Sequence, residues 1–339
     1  MKHTWSGEKV LPIEIIPPWP HVSWVGAVTT VLRARGLEKD FVDVAGMSGY
    51  AFVVNIHPEL CPSGPTGFDW GMLVEGTQAL GLEVELVGEE HDEESDDLAL
   101  VSNLFEQVRE EIDAGRPCVV WGATSAPEFA VVYGYREENY LVRSFRSAVG
   151  KSKGEGWRPL GPDQSPEEPV PFNKLRAPGC VAAFMFRDRI DTDAVKAERA
   201  AVSRAVQLLR GHHPCFDPAY RQGAQAFTAW AESLENNRAQ PFGNAYNTVC
   251  YWELQMFASG FCRRLANRHP KSATQLNQAA QELGRSFINL EQLRGLFPFP
   301  EGGDLKKKEN LIQAATLLRN CATYTEQAIR ALELALALM

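Results

Sequence analysis

The chain has 339 residues, of which 45% are hydrophobic and 23% charged, a composition typical of a folded globular protein. Its length predicts two domains rather than one ordinary hydrophobic core. The formal net charge of -9 argues against a nucleic-acid-binding surface, which requires clustered Lys and Arg. No apolar run reaches the roughly 18 residues that a membrane-spanning helix requires, so we expect no membrane association.

In the first half of the chain, short helical and extended segments alternate. Helices are predicted over residues 23–35, 69–80 and 98–114, each followed by a glycine that suits a helix end: Gly36, Gly81 and Gly115. Runs of apolar and β-branched residues between turn signals predict strands over residues 82–87, 117–121, 129–135, 140–145 and 180–186. The short turn over residues 136–139 predicts an antiparallel hairpin. Helices segregated from a meander of strands predict an α+β domain over residues 1–187.

From about residue 191 onward the strand signal disappears and helical periodicity replaces it. Five helices are predicted, over residues 191–210, 218–235, 243–267, 271–296 and 305–338, with breaks rich in Gly and Pro. Consecutive helices with short connections indicate a bundle. The sequence therefore predicts a second, all-α helical bundle domain over residues 188–339.

The cysteines and the start of the chain indicate the compartment. Seven cysteines are scattered singly, without a Cys-x-x-Cys pair, which predicts reduced thiols rather than a disulfide framework or a cysteine-rich zinc site. The first apolar run is interrupted by Pro and Glu and does not resemble a signal peptide. These features predict a cytoplasmic protein. The chain also has no Walker loop, GxGxxG, HExxH or GxSxG motif, so we expect no cofactor.

The order of elements in the first domain resembles that of bacterial papain-like proteins, a group that includes the double-glycine peptidases and the butirosin-biosynthesis acyltransferase. In that group the nucleophile is a Cys at the start of the first long helix, and the base is a His that begins a hydrophobic strand ending in Gly. The matching stretches here are residues 23–36 and residues 128–135. The resemblance implies a papain-like fold over about residues 15–187, with Ser23 at the nucleophile position and Glu128 at the base position.

Four positions depart from the pattern of that family. Besides Ser23 and Glu128, the place of the orienting Asp holds Arg143 and Ser144, and no Gln precedes Ser23 at the spacing of an oxyanion-hole donor. A serine gains little from the helix dipole and needs a base. We therefore expect no cysteine peptidase activity. Two interpretations of this place stay open: a polar pocket in which Ser23 bonds to Glu128 and Arg143 pairs with Glu128, or a plain helix cap at Ser23 and a solvated carboxylate at Glu128.

A second set of candidates surrounds a short alternating segment. Asn55 and His57 alternate with apolar neighbours, which predicts that both face one side of a strand. His57 is a candidate general acid or base, since only His titrates near neutrality without help; the alternative is a capping residue before Pro58. Cys61 is a candidate displaced nucleophile in the loop that follows.

In the helical half, one helix face carries a run of polar residues. Asn244, Asn247 and Tyr251 lie one turn apart on that face. Buried polar groups must find partners, so these side chains form a structural network or close the cleft of the first domain. Four potential metal ligands also crowd one helix break: His212, His213, Cys215 and Asp217. No second cluster completes a ligand shell, which favours a capping loop, and we expect no metal site.

The residues leave three functions and the oligomeric state open. The first is a catalytically altered papain-like protein that binds a small molecule, a peptide or an acyl group in the cleft between the domains. The second is an acyltransferase or amide hydrolase with non-standard catalytic residues, for which the candidates are Ser23, Glu128 and His57. The third is a structural or regulatory interaction protein that uses the helical domain. For the first, the candidate ligand contacts are Trp24, Asn55, Arg143, Asn244, Asn247 and Tyr251.

Overall fold

The computed structural model describes residues 5–14, 19–90, 98–124, 126–145, 149–151, 157–159, 169–175, 177–215 and 217–339. These residues form a mixed helical and sheet protein with a helical C-terminal part. The chain divides into two compact units, the first made of residues 1–44 and 80–191 and the second of residues 45–79 and 192–339. These units differ from the predicted division after residue 187: residues 45–79 group with the helical unit, and the first unit extends to residue 191.

The helices and strands follow the predicted order. They are β1 (Glu8–Val10), α1 (Ser23–Ala34), α2 (Phe41–Ser48), β2 (Asn55–Ile56), α3 (Met72–Gln78), β3 (Leu82–Glu90), α4 (Leu98–Asp113), β4 (Cys118–Trp121), β5 (Phe129–Arg136), β6 (Asn139–Arg143), β7 (Val149–Lys151), β8 (Trp157–Pro159), β9 (Val170–Pro171), β10 (Cys180–Arg189), α5 (Ala194–Leu209), β11 (Arg221–Gln222), α6 (Gly223–Glu235), α7 (Pro241–Arg268), α8 (Ala273–Leu296) and α9 (Lys308–Leu338). Each predicted helix and strand overlaps an observed one. Helix α2 and the short strands β1, β7, β8, β9 and β11 were not predicted.

The first unit is built on an antiparallel sheet. Its described strands are ordered β3-β10-β4-β5-β6-β9, and β1 pairs with β5. Strands β5 and β6 pair antiparallel, which confirms the predicted hairpin. Every pairing found in this sheet among the described residues is antiparallel, as expected for an α+β arrangement rather than a doubly wound one.

Helices α1 and α4 pack against opposite faces of this sheet. Successive side chains of a strand point to opposite faces, so the strand residues that each helix contacts identify its face. Phe105 of α4 shares a hydrophobic core with Val132 and Ala183. Trp24 of α1 packs edge-on against Phe184, the neighbour of Ala183, with ring centres 5.5 Å apart. Trp24 is fully buried there. The structure thus places Trp24, a predicted ligand contact, in the core of the first unit.

The second unit combines residues 45–79 with helices α5 to α9. Asp193 caps α5 by accepting a hydrogen bond from the Lys196 N–H at 3.0 Å, and Pro241 begins α7, where its missing N–H costs nothing. Strand β2 pairs antiparallel with β11, which places Asn55 opposite Gln222. This pairing explains why residues near 55 fold with the helical unit. Among the described helices of the whole chain, none combines the length and apolar character needed to cross a membrane.

Candidate functional site

The first group of candidate residues lies where α1 begins and β5 begins. Ser23 is only 3% exposed, and its hydroxyl donates a hydrogen bond to the Glu128 carboxylate. The same oxygen accepts a hydrogen bond from the Phe129 N–H at 3.0 Å. The bond between Ser23 and Glu128, one of the two alternatives that the sequence left open, is therefore present. Ser23 is nevertheless not the helix cap, because it is the first residue of α1 and Val22 occupies the cap position.

Arg143 lies on the strand next to this pair. It stands opposite Val131 in the β5–β6 register, so it shares a sheet face with Val131 and Tyr133. Its guanidinium carbon lies 4.6 Å from the centre of the Tyr133 ring, a cation–π contact that contributes about 0.5–1 kcal/mol at partly exposed sites. The start of α1, the residue before β5 and the end of β6 therefore carry a hydroxyl, a carboxylate and a guanidinium, in that order.

The second group of candidates lies in the helical unit and centres on Asn55. The Tyr251 hydroxyl, from α7, accepts a hydrogen bond from the Asn55 N–H at 3.0 Å and donates one to the Asn55 carbonyl. Both residues are completely buried. Burial raises the pKa of Tyr251 well above its ordinary value, so the hydroxyl keeps its proton. One side chain thus satisfies both backbone groups of a buried residue.

The Asn55 side chain holds residues 61–67, which we call the 61–67 turn. Its amide nitrogen donates to the carbonyls of Gly64 at 3.2 Å and Gly67 at 2.9 Å. Its amide oxygen accepts a hydrogen bond from the Cys215 thiol at 3.1 Å. Asn247 adds a further bond, from its amide nitrogen to the carbonyl of Cys61 at 3.0 Å. Two buried asparagines therefore fix this turn through its backbone.

Asn244, the third polar residue predicted on this helix face, has a different role. Its amide oxygen accepts a hydrogen bond from the indole N–H of Trp230 at 2.8 Å. Both side chains are fully buried. This bond joins α6 to α7 and lies within the packing of the two helices. It matches the structural network, which was one of the two alternatives for this helix face.

His57 follows β2 and is partly exposed. Its Nδ1 accepts a hydrogen bond from the Glu59 N–H at 3.3 Å, and its Nε2 lies 3.8 Å from the Asp217 carboxylate. Its ring centre is 5.3 Å from that of Tyr220. The local bond to Glu59 is the capping arrangement that was the alternative to a catalytic role for His57. Asp217 and Tyr220 are further polar neighbours of its ring.

Ser63 and Tyr220 complete this neighbourhood and were not predicted. The Ser63 hydroxyl donates to the Cys61 sulfur at 2.9 Å and lies 2.5 Å from the Tyr220 hydroxyl. Burial raises the pKa of Tyr220, the Ser63 bond opposes that rise, and the nearby Cys61 reinforces it. In the sequence, the Cys, Ser and Gly residues within 61–67 were a usable signal for a polar turn that includes Ser63. Tyr220 lies too far along the chain for any local pattern to associate it with Cys61.

The predicted site residues thus fall into two groups rather than one. Glu128, Ser23 and Arg143 belong to the first unit. Asn55 and His57, expected in the first domain, belong to the second unit because β2 pairs with β11. At the break before β11, the described residues contain no group of three or more His, Cys, Asp or Glu side chains arranged to hold a metal ion.

His213, at that break, is expected to make stability depend on pH. Burial lowers the pKa of its imidazole from 6.5 to about 4, and in the described part of the protein neither ring nitrogen has a hydrogen-bond partner. The unfolded chain therefore binds this proton at a higher pH than the folded one. The contribution of His213 to the free energy of unfolding is fully present above pH 6.5 and is lost as pH falls towards 4. The total loss is about 3 kcal/mol, at about 1.4 kcal/mol per pKa unit.

Urea unfolding between pH 7 and pH 4.5 measures this effect. The His213→Leu variant, which cannot bind the proton, should lose less stability over that range than the natural protein. Equal losses in the two proteins would contradict the prediction, since carboxylates that titrate in the same range are common to both.

Comparison with known proteins adds no family to this description. No protein-family model matches the chain, and no curated protein matches it significantly.

Proposed function

We propose that this protein is a catalytically altered papain-like protein whose first unit binds a small molecule, a peptide or an acyl group without cleaving peptide bonds. The observation that supports this most is the bonding of the Ser23 hydroxyl, which donates to Glu128 and accepts from the Phe129 N–H. A nucleophile must reach its substrate and needs a base of suitable pKa. Ser23 is buried, and a carboxylate is a weak base for a hydroxyl.

The charges near Ser23 favour binding of a polar ligand. The Glu128 carboxylate is partly exposed at the start of β5, and the Arg143 guanidinium is partly exposed on β6. A carboxylate accepts hydrogen bonds and a guanidinium donates them, and bonds to charged groups are stronger than neutral ones. A ligand with both donors and acceptors, such as a peptide or another amide, matches this pair.

The Glu128→Gln substitution tests the proposal by native mass spectrometry of the intact protein. We expect a bound compound in the natural protein and a roughly 10- to 100-fold weaker complex in the variant, the effect of losing a hydrogen bond to a charged group. The matched control is Glu110→Gln, which removes a carboxylate from the exposed side of α4 and should leave binding unchanged.

A fluorogenic peptide supplies the second measurement. We expect no cleavage by the natural protein. Cleavage that Ser23→Ala abolishes would show that Ser23 is a nucleophile and would overturn the proposal. Equal binding by the natural protein and Glu128→Gln would overturn the assignment of Glu128.

A further inference from the structure

One side of helix α7 is accessible to solvent but apolar. All of α7 is described, and between Pro241 and Arg263 its residues that are not buried are Phe242, Tyr246, Trp252, Met256 and Gly260. At about 100° per residue, these five lie within about 120° of one another on one face of the helix. We call them the α7 stripe. The side of a helix that faces water normally carries polar and charged residues, so this stripe differs from an ordinary solvated face.

Side chains of α8 extend the α7 stripe. Trp252 stacks on Phe287 with ring centres 5.5 Å apart, and the Arg294 guanidinium carbon lies 4.1 Å from the centre of the Trp252 ring. Ile288, the residue after Phe287, is 54% exposed, and Met256 is 39% exposed. Aromatic residues, Met and Arg are enriched in the buried centres of protein interfaces, whereas Lys, Glu and Asp are depleted. This surface therefore has the composition of an interface.

Two glycines lower the surface at the far end of the α7 stripe. Gly260 is the last residue of the stripe on α7. On α8, a Cβ at Gly284 would lie 3.4 Å from the Ser259 hydroxyl oxygen and 3.9 Å from an Arg263 guanidinium nitrogen, so Gly284 borders the same end. Because neither glycine has a side chain, α7 and α8 form a shallow groove beyond Met256, with Arg263 at its edge.

The size of the α7 stripe fits a single helix. The rise from Phe242 to Met256 is about 21 Å at 1.5 Å per residue, and a helix with its side chains is about 10–12 Å wide. A strip of that size has an area of roughly 200–300 Å², whereas each partner of a stable dimer buries about 800 Å². An amphipathic helix that lies in a groove is a recurrent mode of peptide recognition, and its apolar face has these dimensions.

Charge determines which helix suits this surface. Residues 241–296 contain six Lys and Arg and three Glu, in a chain whose net charge is -9. Arg263 is exposed at the edge of the groove, and Arg294 is partly exposed and pairs with Glu291 at 3.2 Å. A second copy of the chain would bring two such basic surfaces together, which disfavours self-association. A helix that carries acidic residues beside its apolar face complements the surface.

We propose that the groove along the α7 stripe docks an acidic amphipathic helix of a partner protein. The apolar face of that helix covers Phe242, Trp252 and Met256, and its carboxylates approach Arg263. Anionic lipid is a poorer match, because it repels a chain of net charge -9, and the Trp252 ring is held by Phe287 and Arg294. This surface belongs to the second unit and does not depend on the groups proposed to bind a ligand in the first.

Phage display of random peptides of about 16 residues on the full-length chain tests the proposal. We expect the enriched peptides to share apolar residues three or four positions apart, with Asp or Glu beside them. Met256→Glu places a carboxylate in the groove and should weaken their binding at least about 30-fold, the effect of losing an interface hot spot. The matched control is Ile312→Glu, the same change at a residue of α9 that is 68% exposed and lies outside the stripe, and it should leave binding unchanged.

Phe242→Ala, at a residue that is 52% exposed, is the second variant if circular dichroism shows that Met256→Glu folds poorly, and it should weaken binding about tenfold. Failure to enrich any peptide, enriched peptides without this pattern, or binding that neither substitution weakens would overturn the proposal. Sedimentation of the natural chain, alone and with phosphatidylserine vesicles, should show a monomer that stays free. A dimer or a vesicle complex that Met256→Glu abolishes would assign the stripe to a second copy or to a membrane, and would overturn it as well.

Discussion

The Tyr251→Phe substitution is expected to lower the free energy of unfolding by about 2–4 kcal/mol, a large effect for the loss of one oxygen atom. The Tyr251 hydroxyl is the partner of both the N–H and the carbonyl of Asn55. Both residues are completely buried, so the two backbone groups would lose their partner out of reach of water. Each unpaired buried group costs about 1–3 kcal/mol.

Urea unfolding at neutral pH measures this change, and Tyr324→Phe is the matched control. Tyr324 is partly exposed, and its ring lies 5.6 Å from the Arg285 guanidinium, a contact that phenylalanine also provides. We expect the control to stay within about 0.5 kcal/mol of the natural protein. A Tyr251→Phe variant as stable as Tyr324→Phe would show that the Asn55 backbone does not depend on this hydroxyl.

The Gly243→Ala substitution is expected to destabilise the protein by about 1–3 kcal/mol, although alanine is normally the better helix former. Gly243 is in the first turn of α7, and a Cβ there would lie 1.9 Å from the Leu60 carbonyl oxygen. Leu60 has a left-handed backbone with a φ of 54°, so its carbonyl direction is set by the turn that follows. The backbone would have to move, and the adjacent 61–67 turn would move with it.

Gly295→Ala in α8 is the control for helix propensity. Nothing lies within 4 Å of a Cβ at Gly295. This variant should gain about 0.4–1 kcal/mol, the ordinary effect of replacing a helical glycine. Opposite signs for the two substitutions are the expected result of thermal or urea unfolding. Stabilisation by both substitutions would mean that α7 does not pack closely on Leu60.

The residues of the two groups show which parts of the site were predictable. Ser23 and Glu128 were paired by a resemblance between orders of elements, and the bond between them is present. Asn247 and Tyr251 were selected by helical spacing, and both are buried polar residues with partners in the segment 45–79. The burial of Trp24 was not predictable, because a tryptophan beside a candidate nucleophile looks the same in sequence whether it faces a ligand or the core.

Sequence by itself determined the local elements: the five helices of the second half, the β5–β6 hairpin and the helices that end at glycines. Those signals depend on neighbours within one or two turns, where propensity and periodicity act directly. Only the tertiary structure decided that residues 45–79 fold with the helices, and that Ser63 and Tyr220 meet beside Cys61. These contacts join distant parts of the chain, and complementary packing and hydrogen bonding, which no local pattern encodes, select them.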